Sequence, residues 1–138
     1  MDAAPNTFVR TGMSFTAKSS RYSDITEQPV CRLYAAPEKG GSNSHFYGTG
    51  NDCTVLNTIT GLKYEGFDFS VVKPSSTGAC PFTAVYPVTR LFNNKAQTND
   101  GNHRYVVSNA TKARMVALGW VDEGAVFCST GVADATLN

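Results

Sequence analysis

The chain contains one strand-like segment twice: residues 29–34 are Pro-Val-Cys-Arg-Leu-Tyr, and residues 87–92, 58 positions later, are Pro-Val-Thr-Arg-Leu-Phe. Both segments are rich in residues that favour strands and have an alternating pattern, which predicts strands at 29–35 and 87–92. Turn-rich loops follow them, and then second strand-like segments at 44–48 and 102–107. We therefore expect two β-hairpins.

The same offset of 58 residues recurs further along the chain. Ser-His-Phe-Tyr at 44–47 matches Asn-His-Arg-Tyr at 102–105, and Glu-Gly-x-x-Phe at 65–69 matches 123–127. One fixed offset at several separated places indicates an internal tandem repeat. Each unit is expected to contain a hairpin, a short helix and a final strand, and such a unit buries its apolar face only against a second copy.

A partial third copy precedes the two whole units. Phe8–Phe15 has the aromatic-x-x-x-Gly-x-x-Phe pattern of Trp120–Phe127, and we expect it to pair near the C-terminus and close the sheet. The predicted fold class is a small α+β domain, mainly β with two short helices and internal pseudo-symmetry. The single domain, 1–138, divides into a partial unit with linker at 8–28, repeat units at 29–86 and 87–128, and a tail at 129–138.

The two helices have recognisable starts and ends. We expect the first to be capped by Asp52 and ended by Gly61, with Val55, Leu56 and Ile59 facing inward. We expect the second to be capped by Ser108 or Asn109 and ended by Gly119, with Met115 and Leu118 on one face. The final strands then cover 62–72 and 120–128. Gly66 and Gly124 lie within these strand patterns and indicate a bulge or a close backbone approach.

The four cysteines have no CxxC spacing, so we expect no metal site and no cofactor. They are either buried thiols of a cytosolic protein or, as we favour, two disulfides of an exported one. Residues 1–5 lack the features of a secretory signal, and we expect export as part of a longer precursor. The second unit has Thr89 and Thr111 where the first has Cys31 and Cys53. This joint replacement predicts the pairs Cys31–Cys53 and Cys80–Cys128.

The charge balance argues against two classes of partner. Lys plus Arg is 12 and Asp plus Glu is 11, so the net charge is +1. Such a balance gives no electrostatic reason to expect nucleic acid or an anionic membrane as partner. Apolar runs are also too short for a helix that crosses a membrane, and we expect no membrane insertion.

The repeated motifs resemble a bacterial domain of unknown function built from tandem units. Its pattern is Pro-Val-Tyr-Arg-Leu-Tyr-Asn, His-Phe-Tyr and Gly-Trp-x-Tyr-Glu-Gly-x-x-Phe. The matches here are 29–34 with 87–93, 45–47 with 103–105, and 62–69 with 119–127. The resemblance implies a module at the end of a secreted or surface protein, such as a cell-wall hydrolase, with no catalytic residues to carry over.

Three residue types with reactive side chains recur in both units. We interpret them as structural, with an Arg–Glu pair bridging strands and a histidine hydrogen-bonded into the hairpin. Repeated ligand pockets and an active site are the alternatives. The positions are Arg32, His45 and Glu65 in the first unit, and Arg90, His103 and Glu123 in the second.

The hairpin loops at 36–44 and 93–102 differ between the units and are the expected binding surface. Amides, hydroxyls and one carboxylate suit hydroxyl-rich ligands, and neighbouring rings offer a stacking face. The candidate ligand-binding residues are Tyr34, Asn43, Ser44, Tyr47, Asn94, Asn99, Asp100, Asn102, Tyr105 and Trp120.

The function that we expect is a non-catalytic extracellular recognition module. It would bind a glycan or cell-envelope polymer at the tip of a surface adhesin, or target a secreted enzyme whose other domains lie upstream. The alternatives are a structural or protein–protein interaction domain and, third, a small hydrolase.

Overall fold

The strand-forming segments pair into one curled antiparallel sheet, and the fold is mainly β with two helices, which confirms the predicted small α+β class. The computed structural model describes residues 13–19, 27–59 and 61–134. The strands are β1 Met13–Phe15, β2 Glu27–Ala35, β3 Ser44–Thr49, β4 Leu62–Val72, β5 Tyr86–Phe92, β6 His103–Val106, β7 Val121–Ser129 and β8 Val132–Asp134. The helices are α1 Asn51–Val55 and α2 Asn109–Ala117.

The six-stranded sheet consists of two similar halves. Its order is β3-β2-β4-β7-β5-β6, so each half has a hairpin outside and a final strand at the centre. The first half is β2, β3, α1 and β4, and the second is β5, β6, α2 and β7. The halves meet where Val72 of β4 pairs with Cys128 of β7. This arrangement places the two hairpin loops on opposite flanks of the sheet, and its curl brings them back towards each other.

The register of both halves is interrupted near the two glycines singled out by the sequence. Gly66 and Gly124 have φ angles of 100° and 86°, a backbone conformation that glycine adopts without steric cost. Register shifts flank Arg32 on β2 and Thr89 on β5. These bulges turn β4 and β7 so that Glu65 and Glu123 lie against the arginines of the neighbouring strands.

The core contains residues from both halves of the sheet. Val30, Val71, Val88 and Phe127 form the main cluster, and all are at most 4% exposed. Leu91, Val106 and Met115 form a second cluster beneath α2. Because the main cluster takes its residues from β2, β4, β5 and β7, neither half would bury this apolar surface alone.

Both predicted disulfides are present. Cys31 of β2 bonds to Cys53 of α1, with their Cα atoms 5.8 Å apart, and Cys80 bonds to Cys128 of β7, with a Cα separation of 5.6 Å. The first bond attaches α1 to its own hairpin. The second fixes the 73–85 linker to the central strand of the second half.

The two helices depart from the sequence-based prediction in their packing. Ser108 caps α2 as expected, and its hydroxyl accepts a hydrogen bond from the Thr111 N–H. Leu118, however, is 75% exposed, because the chain has already left the helix at this C-cap position.

The first helix departs further from the sequence-based prediction. It begins after Gly50 without a side-chain cap, so Asp52 does not cap it. Val55 and Ile59 are exposed rather than inward-facing. A five-residue helix is too short to present an apolar face, and the Cys31–Cys53 bond holds it instead.

The ends of the described chain form a separate two-stranded sheet. β1 pairs with β8, with Met13 opposite Asp134, so the described part of the predicted Phe8–Phe15 strand does pair near the C-terminus. Residues 8–12 lie outside the described residues. The expected closure of the main sheet is wrong, since this pair does not join its edge. The Phe15 ring instead packs over the core, with its centroid 6.0 Å from that of Phe127.

Within the described ranges, neither helix has the length and apolar character needed to cross a bilayer.

Candidate functional site

A cleft of about 440 Å³ opens between the two hairpins, and we call it the inter-hairpin cleft. It lies where the curl of the sheet brings the loop of β2 and β3 towards the loop of β5 and β6. Apolar side chains make up most of its surface. Its polar lining consists of Ser42, Ser44, Asp52, Arg90, His103 and Glu123.

Arg90 of β5 is the central charged group of this cleft. Its Nε donates a hydrogen bond of 2.6 Å to Oε2 of Glu123, and its Nη1 lies 3.6 Å from Oδ2 of Asp52. The guanidinium carbon is 4.5 Å from the centroid of the Phe46 ring, a cation–π contact. The side chain is only 15% exposed, and within the described residues Nη1 has no hydrogen-bond partner. Nε of the guanidinium is therefore hydrogen-bonded to Glu123, whereas Nη1 interacts with Asp52 through charge alone.

Asp52 reaches Arg90 because two features bring α1 close to the sheet. The adjacent Cys53 is bonded to β2, and Gly48 of β3 leaves room for the carboxylate. A Cβ at Gly48 would lie 2.5 Å from that of Asp52. At an offset of 58, the second half has Val106 and Ala110 at these positions. The close approach of α1 is thus a property of the first half alone.

His103 contributes an aromatic wall and remains neutral at neutral pH. Its ring stacks on Phe92, with centroids 4.8 Å apart, and meets the edge of Phe46 at 5.0 Å. Its Nε2 lies 3.5 Å from Oε2 of Glu123. Burial lowers the pKa of His103, and this effect exceeds the opposing influence of the Glu123 charge, while Arg90 acts in the same direction as burial. Three rings therefore line the cleft beside one cation and two carboxylates.

The equivalent residues of the first half make related contacts on an exposed surface. Arg32 Nε lies 2.8 Å from Glu65 Oε2, and His45 Nε2 lies 3.1 Å from the same oxygen. Asp68 provides a second carboxylate at 3.1 Å from Arg32 Nη1. Val126 takes the place of Asp68 in the second half, so Arg90 finds its second carboxylate on α1 instead. The two clusters share an architecture, and the second one lines the inter-hairpin cleft.

Among the predicted ligand-binding residues, Ser44 lines the inter-hairpin cleft. Its hydroxyl and that of Ser42 donate hydrogen bonds of 2.8 and 2.5 Å to the carbonyl oxygen of Gly101, and so connect the two hairpin loops. Tyr34 and Asn43 lie together on the outer surface, where the phenol donates a hydrogen bond of 2.6 Å to the Asn43 side chain.

Tyr47 and Tyr105 lie at the core. The Tyr105 ring stacks on Phe127 at 5.5 Å, and its hydroxyl accepts from the Tyr47 N–H at 2.8 Å and donates to the Tyr47 carbonyl at 2.9 Å. Burial raises the pKa of Tyr105 well above its ordinary value. The phenol thus satisfies the hydrogen-bonding needs of the Tyr47 N–H and carbonyl group on the edge strand β3.

The remaining candidates are scattered rather than brought together. Asn94 and Asn99 occupy left-handed turn positions, and Asp100 lies 3.7 Å from the Lys95 ammonium. Asn102 is exposed at the start of β6, and Trp120 packs against the second core cluster, with Arg104 over its ring.

The sequence analysis missed the contribution of Asp52 and Phe46 to the cleft. Asp52 was expected to cap α1, and Phe46 was taken only as part of the repeat. The available signal is that residue types differ at three nearby positions when the sequence is compared at the offset of 58, where Phe46, Gly48 and Asp52 correspond to Arg104, Val106 and Ala110. These three differences coincide with the place where α1 approaches the sheet and Asp52 contacts Arg90.

No group of three or more His, Cys, Asp or Glu side chains in the described part of the chain has an arrangement that would hold a metal ion. A family model with the description "Domain of unknown function (DUF5648)" matches residues 2–130. No curated protein and no solved structure matches the chain significantly.

Proposed function

We propose that this chain, which belongs to the DUF5648 family, is a non-catalytic extracellular recognition module whose inter-hairpin cleft binds carbohydrate. The observation that carries the proposal is the cleft itself, where the rings of Phe46, Phe92 and His103 lie beside Arg90 and Asp52. Its volume falls within the range of about 300–1,000 Å³ that is usual for small-ligand sites.

The chemistry of this lining suits a sugar. Aromatic rings pack against the C–H face of a pyranose, while its hydroxyls both donate and accept hydrogen bonds. The Asp52 side chain is 46% exposed and offers acceptor oxygens at the cleft wall. Within the described residues Arg90 Nη1 has no hydrogen-bond acceptor and lies 3.6 Å from that carboxylate, so a movement of Asp52 that uncovers this buried nitrogen would let one sugar hydroxyl contact both groups.

The contacts that the charged groups make with one another favour recognition over catalysis. Glu123 is engaged by both Arg90 and His103, so its carboxylate is already occupied by two neighbours of the cleft wall. His103 stacks on Phe92, makes an edge contact with Phe46 and is kept neutral by burial. The network thus holds its members in place, as a binding surface requires.

An extracellular location is supported by the two disulfides, which persist in oxidising compartments. We place the module on a secreted or surface protein, as an adhesin tip or as a targeting domain that delivers an enzyme to its polymer.

A glycan array and sedimentation with isolated bacterial cell walls test the proposal. We expect retention by at least one glycan or wall fraction, and loss of retention in Phe46→Ala. The matched control is Phe82→Ala, which removes a ring of the same size that is 91% exposed and outside the cleft. Equal retention of both variants would exclude the cleft as the binding site, and absence of any retained glycan or wall would contradict the proposal.

A protein-binding role is the second candidate, and the observation that favours it is the exposure of Phe82, Val85 and Tyr86, at 91%, 53% and 43%. In this case Phe82→Ala, and not Phe46→Ala, would abolish retention on cell walls, and protease treatment of the walls would do the same.

A further inference from the structure

We propose that the inter-hairpin cleft is one of two adjoining subsites, so that the protein binds a neutral chain of at least two linked acetamido sugars. The second subsite is a depression of about 400 Å³ on the other side of Asp52, which we call the linker-side depression. Its polar lining includes Asn51, Lys73 and Ser75. This inference rests on the proposed function and adds the length and chemistry of the ligand.

The two depressions adjoin because they share a wall and a strand. Asp52 borders both of them. β7 passes along both as well, with Glu123 in the inter-hairpin cleft and Ala125 and Val126 in the linker-side depression. At about 3.3 Å per extended residue, the path from Glu123 to Val126 covers at most about 10 Å, and the bulge at Gly124 shortens it somewhat. That distance accommodates two linked pyranose rings laid along the strand.

The charge of the combined groove favours a neutral chain. Its charged groups are two cations, Arg90 and Lys73, and two carboxylates, Asp52 and Glu123. His103 adds no charge at neutral pH, since burial lowers its pKa. Because the two cations balance the two carboxylates, the groove offers no net attraction for a polymer with a carboxylate on every unit, whereas a neutral chain can use both kinds of group as hydrogen-bond partners.

The apolar wall of the inter-hairpin cleft indicates a methyl-bearing substituent. Phe46, Leu56, Leu62 and Phe92 contribute to it, and a sugar with hydroxyls alone would leave this surface poorly filled. An acetamido group matches both kinds of lining, because its methyl group is apolar while its amide donates and accepts hydrogen bonds. Asp52 lies at the wall that the two subsites share, so its carboxylate can accept hydrogen bonds from the sugar in either subsite.

Calorimetric titration with defined sugars tests the inference. The probes are N-acetylglucosamine, its β-1,4-linked dimer and tetramer, cellotetraose, and the tetramer of galacturonic acid. We expect the acetylated tetramer to bind about tenfold or more tightly than the monomer, and the other two tetramers to bind more weakly than the acetylated one. The double variant Asn51→Ala/Lys73→Ala should remove the gain with chain length and leave binding of the monomer unchanged.

Lys63→Ala is the matched control, because it removes one exposed lysine from β4 outside both depressions. It should behave as the unmodified protein. Equal affinity for monomer and tetramer, tighter binding of the uronic acid chain, or no binding of any acetylated probe would overturn the inference. The proposed function is contradicted by a different result, namely that neither the glycan array nor the cell-wall sedimentation shows any retention.

Discussion

Asp52 of α1 lies 3.6 Å from Arg90 of β5 and so joins the short helix of one half to a strand of the other. The second half has no carboxylate at the equivalent position, which is Ala110. The contact depends on three neighbours, the Cys31–Cys53 bond, Gly48 and Phe46. It is therefore the point where an otherwise similar pair of halves becomes asymmetric.

Replacing Gly48 by alanine should disturb this contact. The new Cβ would lie 2.5 Å from that of Asp52, so either α1 or the strand must shift, at a cost of about 1–3 kcal/mol in the free energy of unfolding. Gly101→Ala is the control, since its nearest neighbour would be 3.5 Å away. Urea unfolding of both variants measures the difference. Equal stability of the two would show that α1 is not held against Gly48.

The two arginines should differ in their contribution to stability. Arg90 is 15% exposed and Arg32 is 36% exposed, although each pairs with a glutamate. Arg90→Ala removes a mostly buried side chain and the arginine partner of Glu123 and should cost about 2 kcal/mol, while Arg32→Ala should cost less than about 1 kcal/mol. Thermal and denaturant unfolding measure both. The reverse ranking would contradict the assigned burial.

Burial of His103 should make the protein sensitive to mild acid. Its pKa is lowered in the folded state, first by burial, so below about pH 6.5 the unfolded chain takes up a proton that the folded protein resists. The contribution of His103 is therefore present above that pH and is lost as the pH falls towards the lowered pKa. The stability of His103→Gln, measured by urea unfolding, should fall less than that of the unmodified protein between about pH 7.5 and about pH 5. Parallel curves would contradict the assignment.

The hydroxyl of Tyr105 should contribute to stability through the edge of β3. Tyr105→Phe removes the group that bonds to both the N–H and the carbonyl of Tyr47, and leaves these backbone groups without that partner. We expect a loss of about 1–3 kcal/mol, with the amide of Tyr47 exchanging faster in hydrogen-exchange experiments. Tyr34→Phe serves as the control, because its phenol bonds to an exposed asparagine. Unchanged exchange at Tyr47 would contradict the prediction.

Removal of each disulfide should have a separable effect. In the chain-entropy model, the separations of 22 and 48 residues correspond to losses of roughly 3 and 4 kcal/mol. Cys31→Ala/Cys53→Ala should also release Asp52 and weaken glycan retention in the folded protein, whereas Cys80→Ala/Cys128→Ala should not. Retention measured well below each melting temperature distinguishes the two. Equal retention would show that the first bond does not position Asp52.

The strands and disulfides were predictable because their signals are local or duplicated. Alternation of apolar and polar residues indicates a strand from the local sequence alone. The second copy of Pro-Val-x-Arg-Leu then shows which of the alternating segments are strands of the sheet. The joint loss of two cysteines from the second copy pointed to their partnership, which the structure confirms.

The cleft was not predictable in the same way, because it depends on packing between the halves. Asp52 meets the usual requirement for a helix cap, and nothing local shows that α1 is instead held by Cys53. The Tyr105 phenol likewise looks like a surface binding group until the curl of the sheet brings β6 near β3. Contacts between residues 58 positions apart are tertiary information, which alternation and capping rules do not contain.

The pairing of Met13 with Asp134 brings the two ends of the described chain together. Polypeptide that enters the fold at β1 and polypeptide that leaves it at β8 do so side by side. The two ends therefore lie at the same place on the fold rather than on opposite sides of it. It also follows that a tensile force applied across the two ends would load the short β1–β8 ladder before any strand of the main sheet.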